Sequence, residues 1–553
     1  MMKKITKIIA VFLTLALTVG MLSACGGEGG GNQTTGAAES QSGGESQSTS
    51  TGDGPKYGGH LNVRVASLIN GIDPLKKTGA WNYLFEMCVF EGALSRDADN
   101  EIVPGVCNFE MSDDKLTLKL TVVEGKTFSN GNAVTIQDVE ASINRFLERY
   151  SNGTKKVKPF IESMTVDGDA LTIKFNQYNT TCYRYLAAYQ TWCPVMPKEI
   201  CEKYAQNYII DQCEDAIGTG PYVFSEFKNN VSITLTKRAD YVPVETTYTG
   251  AAATKYGYMD SITFWANDSD ESSALALLSG QYDIVEVIPA AYESMAEAQG
   301  LKAEKLTSNS TCFIIFNTMG SNLCSKYPAL RKAIMASIDY EEFLSVVTDN
   351  QQLMNDNLLL SDQFANGVLT GTDYYGKTNQ EAVEKYLAEA KAQGYDGEAI
   401  QYAFNSHTNT VATMVGNYLD NAGIQYQPNA MEANAYNTFI NDNGNNWDFY
   451  FTWYNSNYYP TDLDTNILDK HYGNPEKDKL LDEMRLLPYD SPEYMAKWED
   501  LSKIFADDCA FGFMSRIQWY WWCPQSFHPN DEDSVQRLMY NCYWDDPENH
   551  TRN

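Results

Sequence analysis

The sequence predicts an α/β protein of two or three domains, and three observations carry that prediction. From Tyr57 onward, short apolar runs of strand character alternate with stretches of helical period, as in domains that layer helices on sheets. The chain has 553 residues, 43% hydrophobic and 12% aromatic, which is enough for more than one full core. One local unit, Leu116 to Tyr150, reads as strand, tight turn and capped helix with no internal conflict.

The first segment is a leader. Lys3, Lys4 and Lys7 precede an apolar run from Ile8 to Leu22 that closes on Ser23, Ala24 and Cys25. That run is short for a permanent span, which needs ~20 residues. Leu22-Ser23-Ala24-Cys25 resembles the lipobox of bacterial lipoproteins. The resemblance implies cleavage after residue 24 and a diacylglyceryl thioether on Cys25; the alternative is an ordinary secretory signal with a chance cysteine. Two or more acyl chains anchor firmly, since each buried methylene contributes roughly 0.8 kcal/mol. Gly26 to Pro55 is rich in Gly, Ser, Thr and Gln and reads as a flexible tether with a reach of about 30 Å. No later segment offers a long uncharged apolar run, so the lipid is the expected membrane attachment.

The formal net charge of -31 disfavours nucleic acid and anionic headgroups as partners. Twelve cysteines include Cys25, leaving an odd number, so at least one thiol lacks an intramolecular partner. An oxidising exterior permits disulfides, and Cys182/Cys193 or Cys201/Cys213 are close enough in sequence to be candidates. No Cys-x-x-Cys occurs, which argues against zinc.

Leu61 to Ala66 alternates as a strand, broken by Asp73-Pro74. Leu84 to Leu94 is apolar and irregular. Leu116, Leu118, Leu120 and Val122 alternate with polar residues; Asn130-Gly131 supplies a tight turn; Thr135 stands three before Asp138 as in a capping box. Val139, Ile143, Phe146, Leu147 and Tyr150 then follow at helical spacing. Asp167-Gly168 joins Met164–Val166 to Leu171–Phe175 as a hairpin. Gly218-Thr219-Gly220-Pro221-Tyr222 lacks the pattern of a phosphate loop and reads as an inter-lobe connection needing unusual backbone angles. Val231–Thr236, Asp260–Phe264 and Tyr282–Val285 read as strands, and Ser272–Leu278 as a helix ending at Gly280. A second lobe opens with the buried strand Cys312–Asn317. Helices are expected from Pro328 and over Glu381–Gln393, Thr410–Asn421, Lys477–Leu486 and Pro492–Phe505, with an aromatic strand from Phe449 to Tyr454.

In order, Gly58-Gly59, Phe128-Ser129-Asn130-Gly131 with Asp138-Val139, Gly218 to Tyr222 and Gly280-Gln281-Tyr282-Asp283-Ile284 form a set with Phe316-Asn317, Arg331 to Ile334, Ile338-Asp339 and the Asp478–Arg485 helix. With this set the chain resembles the extracellular solute-binding proteins of ABC transporters, family 5, the dipeptide, oligopeptide and nickel-type group, from about Tyr57 to Phe527. The resemblance implies a two-lobed periplasmic-binding-protein-like fold (type II, cluster C) with an extra subdomain in the first lobe. Its expected boundaries are leader 1–24, tether 25–56, lobe I over 57–98 and 217–308, extra subdomain 99–216, lobe II 309–508, and return to lobe I over 509–553.

The resemblance also implies a receptor rather than an enzyme: a small solute, most simply a peptide, is captured between the lobes by hinge closure and handed to a permease. The expected protein is a monomer tethered on the outer face of the bacterial membrane, with no cofactor and no metal. Expected ligand-binding residues are Trp453, Tyr454 and Asn455, with Asp462, Asn317, Arg516, Trp519 and Trp81. Trp453 and Tyr454 supply stacking surface, Arg516 suits a ligand carboxylate, and Asn317 either bonds the ligand backbone or holds its own loop. Of Trp519, Trp521 and Trp522, some are expected to be buried. Relatives that bind peptides carry an Asp shortly after the cleft tryptophan; here Tyr454-Asn455-Ser456-Asn457 follow, and no carboxylate appears before Asp462. Either Asp462 reaches back or the ligand is not an ordinary free-amine peptide. A tethered hydrolase of peptide or glycan is the alternative from another class. Gly-x-Ser-x-Gly and His-Glu-x-x-His are absent, and the five histidines are scattered.

Overall fold

The computed structural model describes residues 54–551 apart from 66–70, 77–81, 152, 188–192, 206–208, 268, 287, 307–309, 348–350, 353–363, 365–370, 406–407, 443, 445, 456–459, 462–467, 518 and 530–538. The leader, Cys25 and most of the tether therefore lie outside the described residues, as do Trp81 and Asp462.

Lobe I begins with β1 (His60–Val65), of which only Asn62 is not fully buried, so both faces are covered. Next comes α1 (Tyr83–Val89), buried at every position but its first. The sequence showed no helical period here because a helix packed on all sides has no polar face to mark one. Phe85 lies edge-on to Phe224 and Phe264 at 6.1 and 5.7 Å, which seats α1 on the lobe I sheet.

The extra subdomain follows. Its strands are β2 (Cys107–Met111) and β3 (Thr117–Val122), then β4 (Ile161–Asp167) and β5 (Ala170–Phe175) after the helix α2 (Ile136–Arg149). The sheet order is β2-β3-β5-β4. Gly131 adopts φ +84° in the turn, a conformation that strains residues with a Cβ. The expected capping box is present: the Asp138 N–H donates to Thr135 Oγ1 at 3.3 Å, and the Thr135 N–H donates to Asp138 Oδ2 at 2.8 Å.

The chain returns to lobe I through Gly218–Pro221, and here the sequence expectation needs correcting. The segment leads from the extra subdomain into β6 (Tyr222–Lys228), not from one lobe to the other. Gly218 and Gly220 are absent from the positive-φ residues; a Cβ on them would sit 2.0 Å from the Val89 oxygen and 2.4 Å from the Cys88 oxygen. They are glycines because the backbone passes against α1. Then β7 (Ser232–Lys237) and β8 (Ser261–Ala266) complete a sheet of order β1-β8-β7-β6, with β1 and β8 parallel. The helix α3 (Asp270–Leu278) follows β8. The expected strand Tyr282–Val285 is reduced to two single bridges, Val63 to Ile284 and Val285 to Trp522.

Lobe II is built on six strands. The connecting strand β9 (Leu301–Leu306) precedes the first of them, β10 (Ser310–Phe316), against which α4 (Pro328–Ser337) packs. The rest are β11 (Gln351–Gln352), α5 (Gln380–Ala392), β12 (Ile400–Phe404), α6 (Asn409–Asn421), β13 (Tyr426–Ala430) and β14 (Phe449–Asn455). After α7 (Pro475–Met484) and α8 (Pro492–Asp508) come β15 (Phe511–Ile517) and β16 (Trp519–Pro524). The sheet order is β11-β15-β10-β14-β12-β13. β15 pairs with β10 inside this sheet, so Phe511–Ile517 belongs to it.

The described cysteines Cys88, Cys107, Cys182, Cys193, Cys201, Cys213, Cys324, Cys509, Cys523 and Cys542 all carry free thiols, so neither candidate pair is bridged. Cys182 instead donates to the Lys156 carbonyl at 3.2 Å, and Cys201 lies 3.6 Å from Ser142 Oγ. Burial pushes the Cys201 thiol up to about 11. Among the described residues no helix is long and apolar enough to cross a membrane.

Candidate functional site: the cleft beside two crossing strands

Two crossings join the lobes, and they run side by side. β9 pairs antiparallel with β16 from Leu301↔Pro524 to Leu306↔Trp519. One crossing later, β10 pairs antiparallel with β15, including Thr311↔Arg516. The same two chain segments are thus hydrogen-bonded on both sides of residues 307–309 and 518. The ribbon β9-β16 joins lobe I through mutual bonds of Val285 and Trp522, at 3.1 and 2.8 Å. Trp521 and Trp522 are buried, as the sequence reading expected for part of that aromatic run.

The crossing lies beyond the carboxyl ends of β1 and β8. Ile284 pairs with Val63 in parallel and Val285 pairs with Trp522 in antiparallel sense, so running from Trp522 back to Trp519 advances in the direction of β1. Ligands in open α/β sheets bind at this end. Here Arg64 is 3% exposed at its side chain; Nε donates to the Asn267 carbonyl at 2.8 Å and Nη2 to Asp270 Oδ1 at 2.7 Å. Ser269 caps α3, accepting from the Ser272 N–H at 3.2 Å. Arg64 therefore fixes the turn after β8 and has its charge matched by Asp270. Sequence reasoning did not single out Arg64, Asn267 or Asp270; a signal that could have found them is Ser269-Asp270-Glu271, a capping serine with two acidic residues at a helix start.

On the lobe II side, the register sets expected residues in rows. Gln352, Arg516, Thr311 and Tyr454 form one row across four strands. Trp453, Cys312 and Ser515 form the next, and Asn455 pairs with Ser310 at the strand end. Trp519 opens the ribbon just past the crossing. Five of the expected residues, Trp453, Tyr454, Asn455, Arg516 and Trp519, thus gather at one end of the sheet, beside the hinge.

Asn317 does not join them. It follows the opposite end of β10, roughly 20 Å from the Thr311 row at ~3.3 Å per residue. Its Oδ1 accepts from the N–H groups of Met319 at 3.2 Å and Gly320 at 2.9 Å, and its Nδ2 donates to the Trp447 carbonyl at 3.5 Å. Asn317 holds its own loop, the second of its two sequence readings. Among the described residues no group of three His, Cys, Asp or Glu side chains is placed to hold a metal.

Two α/β lobes joined by paired crossings define a two-lobed periplasmic-binding-protein-like fold, not a barrel or a single doubly wound sheet. Residues 101–475 match the model of bacterial extracellular solute-binding proteins, family 5 (Middle), and the chain belongs to that family, whose members are binding proteins of transport systems rather than enzymes. The oligopeptide-binding protein AppA of Bacillus subtilis is 21% identical over 469 residues, 76% of this chain and 82% of that one. Protein XP55 of Streptomyces lividans is 24% identical over 263 residues, 47% of this chain but only 45% of that protein. Among solved structures, the ABC transporter substrate-binding protein CtaP of Listeria monocytogenes superposes with TM-score 0.73 at 18% identity, covering 88% of this chain and all of that one. The structure of AppA in complex with a nonapeptide gives TM-score 0.72 at 18% identity, over 89% and 100%.

Proposed function

We propose that this chain is a lipid-anchored extracytoplasmic receptor that captures a small solute, most simply a peptide, in the inter-lobe cleft and delivers it to an ABC importer. The carrying observation is the doubly paired crossing with Tyr454, Arg516 and Trp519 beside it. A guest touching both lobes there binds the closed form better and shifts the population towards it. The nonapeptide in AppA supports a peptide as ligand. In this reading Trp453, Tyr454, Asn455, Asp462, Trp81 and Trp519 line the cleft, Arg516 meets a carboxylate, and the acylated Cys25 with the tether keeps a monomeric body near its permease.

The missing carboxylate after Trp453 bears on specificity. Asn and Ser accept hydrogen bonds but supply no charge for a free amine. Mass spectrometry of what co-purifies tests the reading directly. A receptor returns a stoichiometric, intact small molecule and contracts in solution scattering when it is added back. Cleavage products from candidate peptides, or a ligand that leaves the lobes apart, would sink it. A ligand lacking a free amine would show that specificity has shifted with the Trp453-Tyr454-Asn455 sequence.

A further inference from the structure

We propose that a second, separate cavity, between lobe I and the extra subdomain, binds a small organic carboxylate through Lys126 and Lys255. This inference does not rest on the transport reading.

The cavity has a volume of about 220 Å³. One water needs only ~10–15 Å³ of such space, so a molecule of amino-acid size has room. The buried charges of its wall form a three-residue cluster; the fourth charged residue of the wall, Glu245, is exposed, and its Oε2 accepts from Thr254 Oγ1 at 3.4 Å and from the Tyr256 hydroxyl at 3.2 Å. Lys126 Nζ donates to both Glu91 oxygens, at 3.2 and 3.0 Å, and Lys255 Nζ lies 3.5 Å from Glu91 Oε1. Thr219 Oγ1 donates to Glu91 Oε2 at 2.8 Å. All three charged side chains of the cluster are 10% exposed or less.

Within the buried cluster the charges do not balance. Burial alone would raise the Glu91 pKa, but Lys126 and Lys255 hold it down at about 2, so it counts as one full negative charge. Two ammonium groups share that one carboxylate. Lys126 takes the good geometry, while Lys255 is left at the limit of hydrogen-bonding distance, with the Tyr540 ring 4.8 Å from it. Burial pushes the Lys255 pKa down, the sign of a cation short of compensation. A buried excess charge is costly, and a charge-assisted bond to an incoming anion relieves it.

The opposite wall selects for an organic anion. Met87, Phe90, Val123, Tyr241 and Val244 face the same space and suit an aliphatic or aromatic body rather than a hydrated inorganic ion. Lobe I and the extra subdomain lie on the same side of the crossing strands. A guest here therefore clamps the subdomain to its own lobe and does not bridge the transport cleft.

Butyrate is a suitable probe, titrated into the whole chain at constant ionic strength with chloride as filler and inorganic phosphate as comparison. Saturable butyrate binding by calorimetry is expected, with a rise in melting temperature of roughly 3 °C at a hundredfold excess over Kd. Lys255→Met removes the surplus charge, and Ala252→Trp, at a half-exposed wall position, fills the space while keeping every charge. Both variants are expected to lose the response. If Lys255→Met does not fold, Ala252→Trp decides alone. No saturable response in the unaltered protein, or a response that survives Ala252→Trp, overturns the site; an equal response to phosphate overturns the choice of an organic anion.

Discussion

The Thr180 N–H donates to the Arg485 carbonyl at 3.0 Å, tying the extra subdomain to lobe II without passing through either crossing strand. Thr180 begins a helix capped by Asn179, and Arg485 ends α7. Beside this bond the Tyr489 hydroxyl donates to the Glu101 carboxylate. Under the proposed hinge closure these contacts span the two lobes, so they are expected to add to the closed state independently of any ligand.

Removing the hydroxyl is therefore expected to weaken ligand binding without touching the cleft. Tyr489→Phe loses one bond to an exposed carboxylate, about 1 kcal/mol at most after solvent screening, which corresponds to roughly fivefold in Kd. Titration calorimetry reads the affinity, and small-angle scattering of the ligand-free protein is expected to show a larger radius of gyration. Identical values for variant and parent in both measurements would mean that the seam carries no closing energy.

Asp73 anchors the loop after β1 to the extra subdomain, and its loss is expected to be severe. Arg145 Nη2 donates to its carboxylate at 2.6 Å, and the N–H groups of Leu75 and Ile210 donate at 3.0 and 3.1 Å. The two side chains are 0% and 2% exposed. Asp73→Asn leaves the Arg145 charge buried without its partner, which typically costs about 3–5 kcal/mol. Urea unfolding checks this through the midpoint, with m unchanged. A loss below about 1 kcal/mol would show that solvent reaches Arg145 in the folded state.

Much of this fold was legible because it is written locally. The Thr135/Asp138 capping box, the Gly131 turn and the alternation of Thr117–Val122 are short-range signals, and each appears where its residues predict. The helix Tyr83–Val89 was not legible, since Leu84, Phe85, Met87, Cys88 and Val89 are apolar on every face. Nor were the crossings: Leu301–Leu306 and Trp519–Pro524 pair across more than two hundred residues, and no local pattern announces such a partner. Gly218 and Gly220 misled for the same reason, because close approach to Cys88 and Val89 is invisible until α1 is in place. Within the candidate site, the register gathers Trp453, Tyr454 and Arg516 at one end of the sheet, while Asn317 follows the opposite end of β10; the sequence showed the length of that strand but not its pairing.

His471 sets a pH window for stability. It lies edge-on to Trp447 at 5.1 Å and to Tyr450 at 5.4 Å, and burial, with Lys470 nearby, pushes its pKa from 6.5 down to about 4. The unfolded chain then takes up this proton first as pH falls. Stability is full above pH 6.5 and declines towards pH 4, by up to about 3 kcal/mol. Glu91, lowered from 4.5 to about 2, also costs stability as pH falls, but only below pH 4.5. Unfolding free energies at pH 7.5 and 4.5 bracket the histidine's window, in which Asp283 and Asp448, raised by burial, act with the opposite sign, and His471→Gln is expected to remove the histidine's share of the difference. An unchanged pH slope in that variant would assign the dependence elsewhere.

Arg516 offers the sharpest test of how the cleft reads its ligand. It stands in the Tyr454 row one residue from the end of β15, beside the hinge. In the proposed reading its guanidinium pairs with a ligand carboxylate, and two parallel bonds of that kind are worth about 1.5–3 kcal/mol. Arg516→Gln is thus expected to weaken binding of a peptide with a free C-terminus about tenfold to a hundredfold. Amidating the peptide should cost the parent protein the same factor and the variant nothing, which separates a direct ion pair from a general loss of fold. N-terminal acetylation, by contrast, should cost the parent little, because Tyr454-Asn455-Ser456-Asn457 places no charge beside Trp453. If acetylation is costly and amidation is free, the ligand lies reversed in the cleft, and Arg516 serves the sheet rather than the guest.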